Sequence, residues 1–371
     1  MYDLIIIGAG LSGLSTALAC KSPGFSILIL EKGSMPRHKV CGEYLSAEVL
    51  PLLESWGMDL GDRPRVNRAL LSAPNGSFTE VDLPLGGVGV SRHYLDGKLL
   101  DITINRGIVV HTEEPVRKVV KKGSFFQLES SKAQYEAKWI ASCHGKSRPA
   151  HFIDSPFSRQ EKYMGVKQYY QLDFPEQLVA LHSFRGGYGG AVLVENGWVD
   201  MAFMIKQSVF MEYKNIDKVM EAVLYSNPWM KKLITDGKAM WKQPMAVSNF
   251  TLGEKTTHSL QAFTAGDAKA MIPPASGNGM AMALLSGTML GQKIKEGDKQ
   301  GKSWEEIEKE YSEQWTAYFG QRLWWGKHIQ RLMERPQPAN VAMWMMKYSD
   351  WMLRSTIRLT HGSPERVKEL L

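Results

Sequence analysis

The chain of 371 residues is 44% apolar and 22% charged, a globular mixture with room for two or three domains and a large buried core. Its formal charge of +7 is spread along the sequence rather than gathered into one basic stripe, which argues against a nucleic-acid partner and for an anionic cofactor, substrate or membrane surface. Three cysteines, Cys20, Cys41 and Cys143, give no disulfide framework, and the start "MYDLIIIGAG" lacks the basic segment and cleavage site of a secretory signal. A cytoplasmic protein with reduced thiols is expected, and no metal site is suggested. The uncharged stretch between Met271 and Lys293 carries prolines, glycines, Asn278 and hydroxyl side chains, so it makes a poor membrane span.

In chain order, "YDLIIIG", "AGLSG", "LSTALACKS" and "FSILILE" read as strand, glycine turn, helix and strand, a βαβ unit. From Val66 to Val90 short strand-like runs alternate with turn signals such as Asn75-Gly76. A helix is predicted from Arg92 to about Asn105, with Tyr94, Leu95, Leu99 and Ile102 at helical spacing. "IVVHTE", "VRKVVKK", "FFQLES" and "KWIASC" then read as strands returning to the nucleotide-binding half. Between Tyr163 and Phe250, "MGVKQYYQLDF", "LVALHSF", "GGAVLVE" and "WVDMAFMI" predict an antiparallel sheet facing a substrate. "QAFTAGD" is one more strand, aimed at a helix within "SGNGMAMALLSG", and the chain is helical in pattern from Ser303 onward.

Two glycine-rich constellations carry chemistry. Gly8, Gly10 and Gly13 follow a strand and open a helix, and Glu31 closes the next strand 18 residues beyond Gly13. The glycines permit a tight turn, close approach of a pyrophosphate and close helix packing, while the carboxylate accepts hydrogen bonds from ribose hydroxyls; this predicts dinucleotide binding. Farther on, Asp267 ends an apolar strand, where a carboxylate binds a polyol hydroxyl or simply caps a turn. Gly277, Asn278 and Gly279 open a helix whose free N–H groups offer a partly positive site.

"GAGLSG" with Glu31, "KVCGEYLS", "SRHYLDGKLLD" and "AGDAKAMIPPASGNGMAMAL" stand in the order and spacing of a known group. Over about residues 1–300 the chain resembles flavoproteins of the p-hydroxybenzoate hydroxylase superfamily, most closely their geranylgeranyl reductase-like branch. The resemblance implies FAD, with Asp267 at the ribityl chain, Gly277, Asn278, Gly279 and Met280 at the pyrimidine edge, and Arg37 and Arg92 near the pyrophosphate or ribityl region. It implies a discontinuous, three-layer, Rossmann-like FAD domain (1–65, 91–150 and 255–300). To this it adds an antiparallel β-sheet substrate domain (66–90 and 151–254) and a helical C-terminal cap (301–371), an α/β fold overall.

Two departures bear on activity. The superfamily's Asp-Gly pair is replaced by "SCHGKS", with His144 in the aspartate position, so NAD(P)H or a protein redox partner are both open as electron donor. His144 is a turn residue beside the cofactor or a proton carrier. The tryptophan-rich halogenase signature is absent, the matching region reading "GGYGGAVLVENGW", which argues against halogenation. Cys41 is a candidate to orient substrate, donate a proton or fill a small gap, and Tyr188 to face substrate or pack at a turn.

In the last third, Trp304, Trp315, Trp324, Trp325, Trp344 and Trp351 accompany a wide apolar face between Val341 and Leu359, fringed by Lys347, Arg354 and Arg358. Core helices, a lid over a lipophilic tunnel and a helix resting on a membrane all fit this pattern. The expected activity is reduction of a carbon–carbon double bond in a lipophilic isoprenoid or polyketide-like molecule by hydride from flavin N5. The rival is an FAD monooxygenase hydroxylating an aromatic or polyketide substrate, and a non-catalytic flavin- or lipid-binding protein stands as the third class.

Overall fold

Runs of isoleucine and leucine with no polar alternation suit strands covered on both faces, and the chain begins with two of them. β1 (Tyr2–Ile7) leads through the glycine turn into α1 (Leu11–Cys20) and back to β2 (Ile27–Leu30). The computed structural model describes residues 1–146, 161–254, 261–271, 277–349, 351, 355–356, 359 and 362–370. β3 (Tyr44–Ser46), α2 (Leu50–Ser55), β4 (Arg65–Ser72) and β5 (Phe78–Gly89) follow. Ser91 then caps α3 (Arg92–Asn105) by accepting the Tyr94 N–H. β6 (Val109–His111), β7 (Val116–Lys122), β8 (Phe125–Ser130) and β9 (Gln134–Ser142) complete the first half.

The second half opens with β10 (Tyr163–Gln171), β11 (Leu178–Phe184), β12 (Gly187–Leu193) and β13 (Val199–Lys206). Three helices not anticipated from sequence come next: α4 (Gln207–Tyr213), α5 (Ile216–Ala222) and α6 (Pro228–Asp236). They are short, and Asn215 and Asn227 cap the last two. β14 (Lys238–Ala239), β15 (Met245–Phe250), β16 (Gly253–Glu254), β17 (Phe263–Thr264) and β18 (Ala270–Met271) lead to α7 (Gly279–Lys299). α8 (Trp304–Met333), α9 (Pro336–Lys347) and α10 (Pro364–Lys368) end the chain, α8 opening with a Ser303–Glu306 capping box.

The first sheet runs β6-β2-β1-β9-β8-β7, with β17 beside β9. Its β6, β2, β1, β9 and β17 are parallel neighbours, while β7 and β8 form an antiparallel meander. Helices α1, α3 and α7 bury one face of the parallel strands, and the meander supplies Val119, Phe126 and Leu128 to the other, giving three layers. The second sheet runs β14-β10-β13-β12-β11-β4-β5-β3, with β15 beside β10. It departs from the expected antiparallel order at one place, where β11 and β4 pair in parallel. β3 lies within the span read as nucleotide-binding yet pairs with β5 in this second sheet, so residues 44–46 tie the two halves together.

The helices after residue 301 divide their work. Ile307, Tyr311, Trp315 and Phe319 of α8 sink into the core shared with α1 and α7, whereas Ala339 and Met343 of α9 close over the space between the sheets. Arg354 and Arg358 lie outside the described residues.

Candidate active site

The N-termini of α1 and α7 converge on one space because these two helices pack backbone to backbone. A Cβ on Gly287 would stand 2.3 Å from the Ser12 carbonyl oxygen, and one on Gly291 would stand 2.3 Å from that of Thr16. Only glycine allows that approach. Gly10, Leu11 and Ser12 at one helix start, and Gly279 and Met280 at the other, consequently line the same cavity of about 1000 Å³. Two positive helix ends facing one cavity favour an anionic ligand.

The three motif glycines have different work. Gly8 has φ +107°, and a Cβ there would lie 2.5 Å from the Cys143 carbonyl oxygen, so the turn requires glycine. Gly13 backs onto the Gly8 carbonyl oxygen, 1.9 Å from where its Cβ would be. Gly10 alone faces open space: the nearest atoms to a Cβ there are Lys39 Nζ at 3.9 Å and Arg92 Nη2 at 4.0 Å. That gap, flanked by two cations and the end of α1, suits an anionic group.

Both cations are held by one carboxylate. Arg92 meets Asp96 through Nε–Oδ1 and Nη2–Oδ2 contacts of 2.9 Å each, and Lys39 Nζ lies 2.6 Å from Asp96 Oδ2. Burial alone would raise the Asp96 carboxyl, but Arg92 and then Lys39 outweigh it and hold it below the usual carboxylate range. Neither Lys39 nor Asp96 was assigned a part in holding the cofactor from sequence. The signal was present, since Lys39 opens "KVCG" and Asp96 stands four residues after Arg92 on one helix face.

At the far end of the cradle, Glu31 is buried and accepts the Ala9 N–H at 2.9 Å, the Gly33 N–H at 3.0 Å and Arg37 Nη2 at 2.8 Å. Burial works against its charge, and these donors still hold its pKa below the ordinary value. Arg37 thus stands at the Glu31 end, while Arg92 stands beside Gly10. Asp267, Gly277, Gly279 and Met280 line the same cavity, but Asn278 is buried behind it at the helix cap. His144 also lines it, with Nδ1 2.6 Å from Ser142 Oγ.

The three thiols separate by environment. Burial pushes Cys20 and Cys143 up to about 12, which keeps both as neutral thiols, Cys20 in the core and Cys143 at the cavity wall. Cys41 is half-buried on the cavity wall, within electrostatic reach of Arg92, Lys167 and Tyr188. Tyr188 lines the cavity too, and its hydroxyl has no hydrogen-bond partner among the described residues. Both candidate catalytic residues therefore line the cavity, which has a charged cradle and an apolar half. The apolar half is walled by Met204, Met245, Val247, Phe250, Met271 and Met333, and α9 adds Ala342, Met343, Met345 and Met346.

A family described as "FAD binding domain" matches residues 3–39, the segment that builds Gly8, Gly10, Gly13 and Glu31. Among curated proteins, digeranylgeranylglycerophospholipid reductase 2 of Methanopyrus kandleri is 24% identical, over 86% of this chain and 83% of its own. Among solved structures, the flavin-dependent brominase Bmp2 superposes with a TM-score of 0.77 at 17% identity, covering 97% of this chain and 93% of that one. A flavoprotein/dehydrogenase from Cytophaga hutchinsonii gives 0.71 at 19% identity, covering 86% and 84%. At these identities the structural likeness is one of fold. Fold, cradle and sequence relatives together define an FAD-dependent oxidoreductase, and so an enzyme. Within that superfamily the chain has geranylgeranyl reductase-like relatives.

Proposed function

We propose that this enzyme reduces a carbon–carbon double bond in a lipophilic isoprenoid or polyketide-like molecule. The supporting observation is the continuity of the cavity, which passes from the cofactor cradle into a space walled by methionine, valine and phenylalanine. Such walls exclude water and bind a long apolar chain with few polar contacts. Bound FAD, once reduced, supplies hydride from its N5. The chain's own part is to hold the double bond in place, keep water away and provide a proton, roles we assign to Cys41 and Tyr188 on the cavity wall. The relative named as a digeranylgeranylglycerophospholipid reductase supports the same chemistry. His144, in the position of the superfamily's aspartate, favours a protein electron donor over NAD(P)H.

The test is anaerobic mixing of dithionite-reduced holoprotein with geranylgeraniol as probe, following flavin reoxidation and product mass. Reoxidation with a product heavier by two hydrogens is expected. Turnover only after oxygen is admitted, with a hydroxylated product, would assign the monooxygenase reading instead. In the same assay Cys41→Ser should keep its flavin and lose about tenfold or more in rate, as expected for loss of a positioned proton donor. Cys20→Ser should change neither.

The C-terminal helices that wall the apolar half also carry exposed apolar side chains. Trp344, Tyr348 and Trp351 are 62%, 72% and 76% exposed, and Leu332, Val341 and Met345 stand beside them in the sequence of α8 and α9. Lys327, Arg331, Arg335 and Lys347 are exposed along the same helices. No described helix is long and apolar enough to cross a membrane. An aromatic surface fringed by cations suits an anionic bilayer face, from which substrate enters the tunnel. Sedimentation with phosphatidylglycerol vesicles should capture the protein. Trp344→Ala with Trp351→Ala should weaken that binding by about a hundredfold, given roughly 1.5 kcal/mol for each buried ring. Equal binding by the double variant would remove the membrane from the proposal.

A further inference from the structure

Directly behind the cavity wall lies a cluster that the cofactor cradle does not use. Lys167 of β10, Asp200 of β13 and Glu43 are all fully buried. Lys167 Nζ is 2.5 Å from Glu43 Oε1 and 3.3 Å from Asp200 Oδ1. It also donates to the Tyr169 hydroxyl at 3.1 Å. Tyr169 in turn donates to Glu43 Oε2 at 2.6 Å, and His38 Nδ1 lies 3.4 Å from the same hydroxyl. His38 is half-buried and stacks on the exposed ring of His93, centroids 4.9 Å apart. The hydrogen-bonded chain therefore runs from half-buried His38 through the Tyr169 hydroxyl to Glu43, and Glu43 and Cys41 both line the cavity.

Stability alone gives a poor account of this arrangement. A buried ion pair roughly breaks even against apolar side chains of the same volume, and here two carboxylates share one ammonium. Glu43 also holds a left-handed backbone, φ +47°, which a non-glycine residue adopts at a cost and which turns its carboxylate toward Lys167 and the Arg92 N–H at 2.7 Å.

We propose that His38, Tyr169, Glu43, Lys167 and Asp200 form a proton relay that delivers a solvent proton to the substrate in the cavity. This rests on the double-bond reduction proposed above. There, the hydride from flavin forms one C–H bond as the π bond breaks, and the freed electron pair takes a proton at the other carbon. The cluster passes that proton from Glu43 to Cys41, which lines the same cavity and hands it to the substrate, and the cluster recovers it through Tyr169 from His38. The flavin is left oxidised and is reduced again by a two-electron donor, a nicotinamide dinucleotide or a reduced redox protein. Burial raises the Asp200 and Glu43 carboxyls above their ordinary values. The groups that face His38 are His93 from α3, Tyr169 and Lys167 from β10, Trp241 and Glu195.

Two measurements on holoprotein separate this proposal from the reaction it serves. The first uses no substrate: infrared spectra after transfer into D2O follow exchange of the buried carboxylic-acid band, assigned by its loss in Asp200→Asn. Tyr169→Phe, which removes the bridging hydroxyl, should slow that exchange at least about tenfold, and His38→Asn should do the same if the first variant fails to fold. The second is the single-turnover reaction with geranylgeraniol. There Tyr169→Phe should slow product formation about a hundredfold, enlarge the solvent-deuterium effect and abolish the His38 limb of the pH profile, with flavin occupancy unchanged. If the wild type does not reduce the probe, the substrate reading fails and the exchange measurement alone decides the relay. Unchanged exchange in both variants, or absence of the acid band in the wild type, overturns the relay.

Discussion

Replacing Gly10 by valine is expected to give a folded protein that purifies without flavin. Gly10 caps α1 with φ −83° and ψ −177°, an extended conformation that valine adopts readily, and no atom lies closer than 3.9 Å to its new Cβ. The added methyls would instead occupy the gap between the end of α1, Lys39 and Arg92, where the pyrophosphate belongs. Gly13→Val makes the contrasting control. Its Cβ would lie 1.9 Å from the Gly8 carbonyl oxygen, so that variant should lose both flavin and the packing of α1 on β1. Visible absorbance and far-ultraviolet circular dichroism on the two variants distinguish these outcomes. Full flavin occupancy in Gly10→Val would move the cofactor site away from this turn.

Lys167→Met should be the most destabilising single substitution in the second sheet, by about 3–5 kcal/mol near neutral pH, because it leaves Glu43 and Asp200 buried without their cation. Burial raises both carboxyls even with Lys167 present, and removing the ammonium raises them further. A carboxyl with a raised folded-state pKa contributes fully below its unfolded value of about 4, and that contribution is lost as pH rises through the folded value. The deficit of the variant should therefore be small at pH 5 and large at pH 8. Denaturant midpoints measured at those two values, with FAD saturating, check the sign. A deficit independent of pH would mean that packing around the lysine stem, not charge, is responsible.

The first βαβ unit and the helix from Arg92 to Asn105 were legible because local signals agree there: unbroken apolar strands, glycines at fixed spacing and a serine cap. Gly8, Gly10, Glu31 and Asp267 were singled out for the same reason, from their neighbours in sequence, and the fold brings all four to one cavity. The three helices from Gln207 to Asp236 were missed, since they are short and their apolar residues sit beside those of the preceding strand without a change of composition. Lys167, Asp200 and Glu43 were illegible for a different reason. Each is an isolated charge in its own strand or turn, and only the pairing of β10 with β13 and the return of residue 43 to the cavity wall make them a group. Lys167 faces Ala202 in that register, so even cross-strand partners along the sheet would not have paired it with an acid.

The backbone contact of α1 with α7 joins residues 11–20 to residues 279–299, two segments that a ribosome makes far apart in time. A nascent chain with only the first βαβ unit carries the glycine turn but neither the second positive helix end nor Asp267. Closure of so long a loop is slow to reward, so the cradle matures late in folding. Flavin is then expected to bind as a finishing step that locks an assembled scaffold rather than as a nucleus around which the chain collapses. In a cell short of riboflavin, the accumulating species should be a nearly complete apoprotein whose stability rises with FAD supply by mass action.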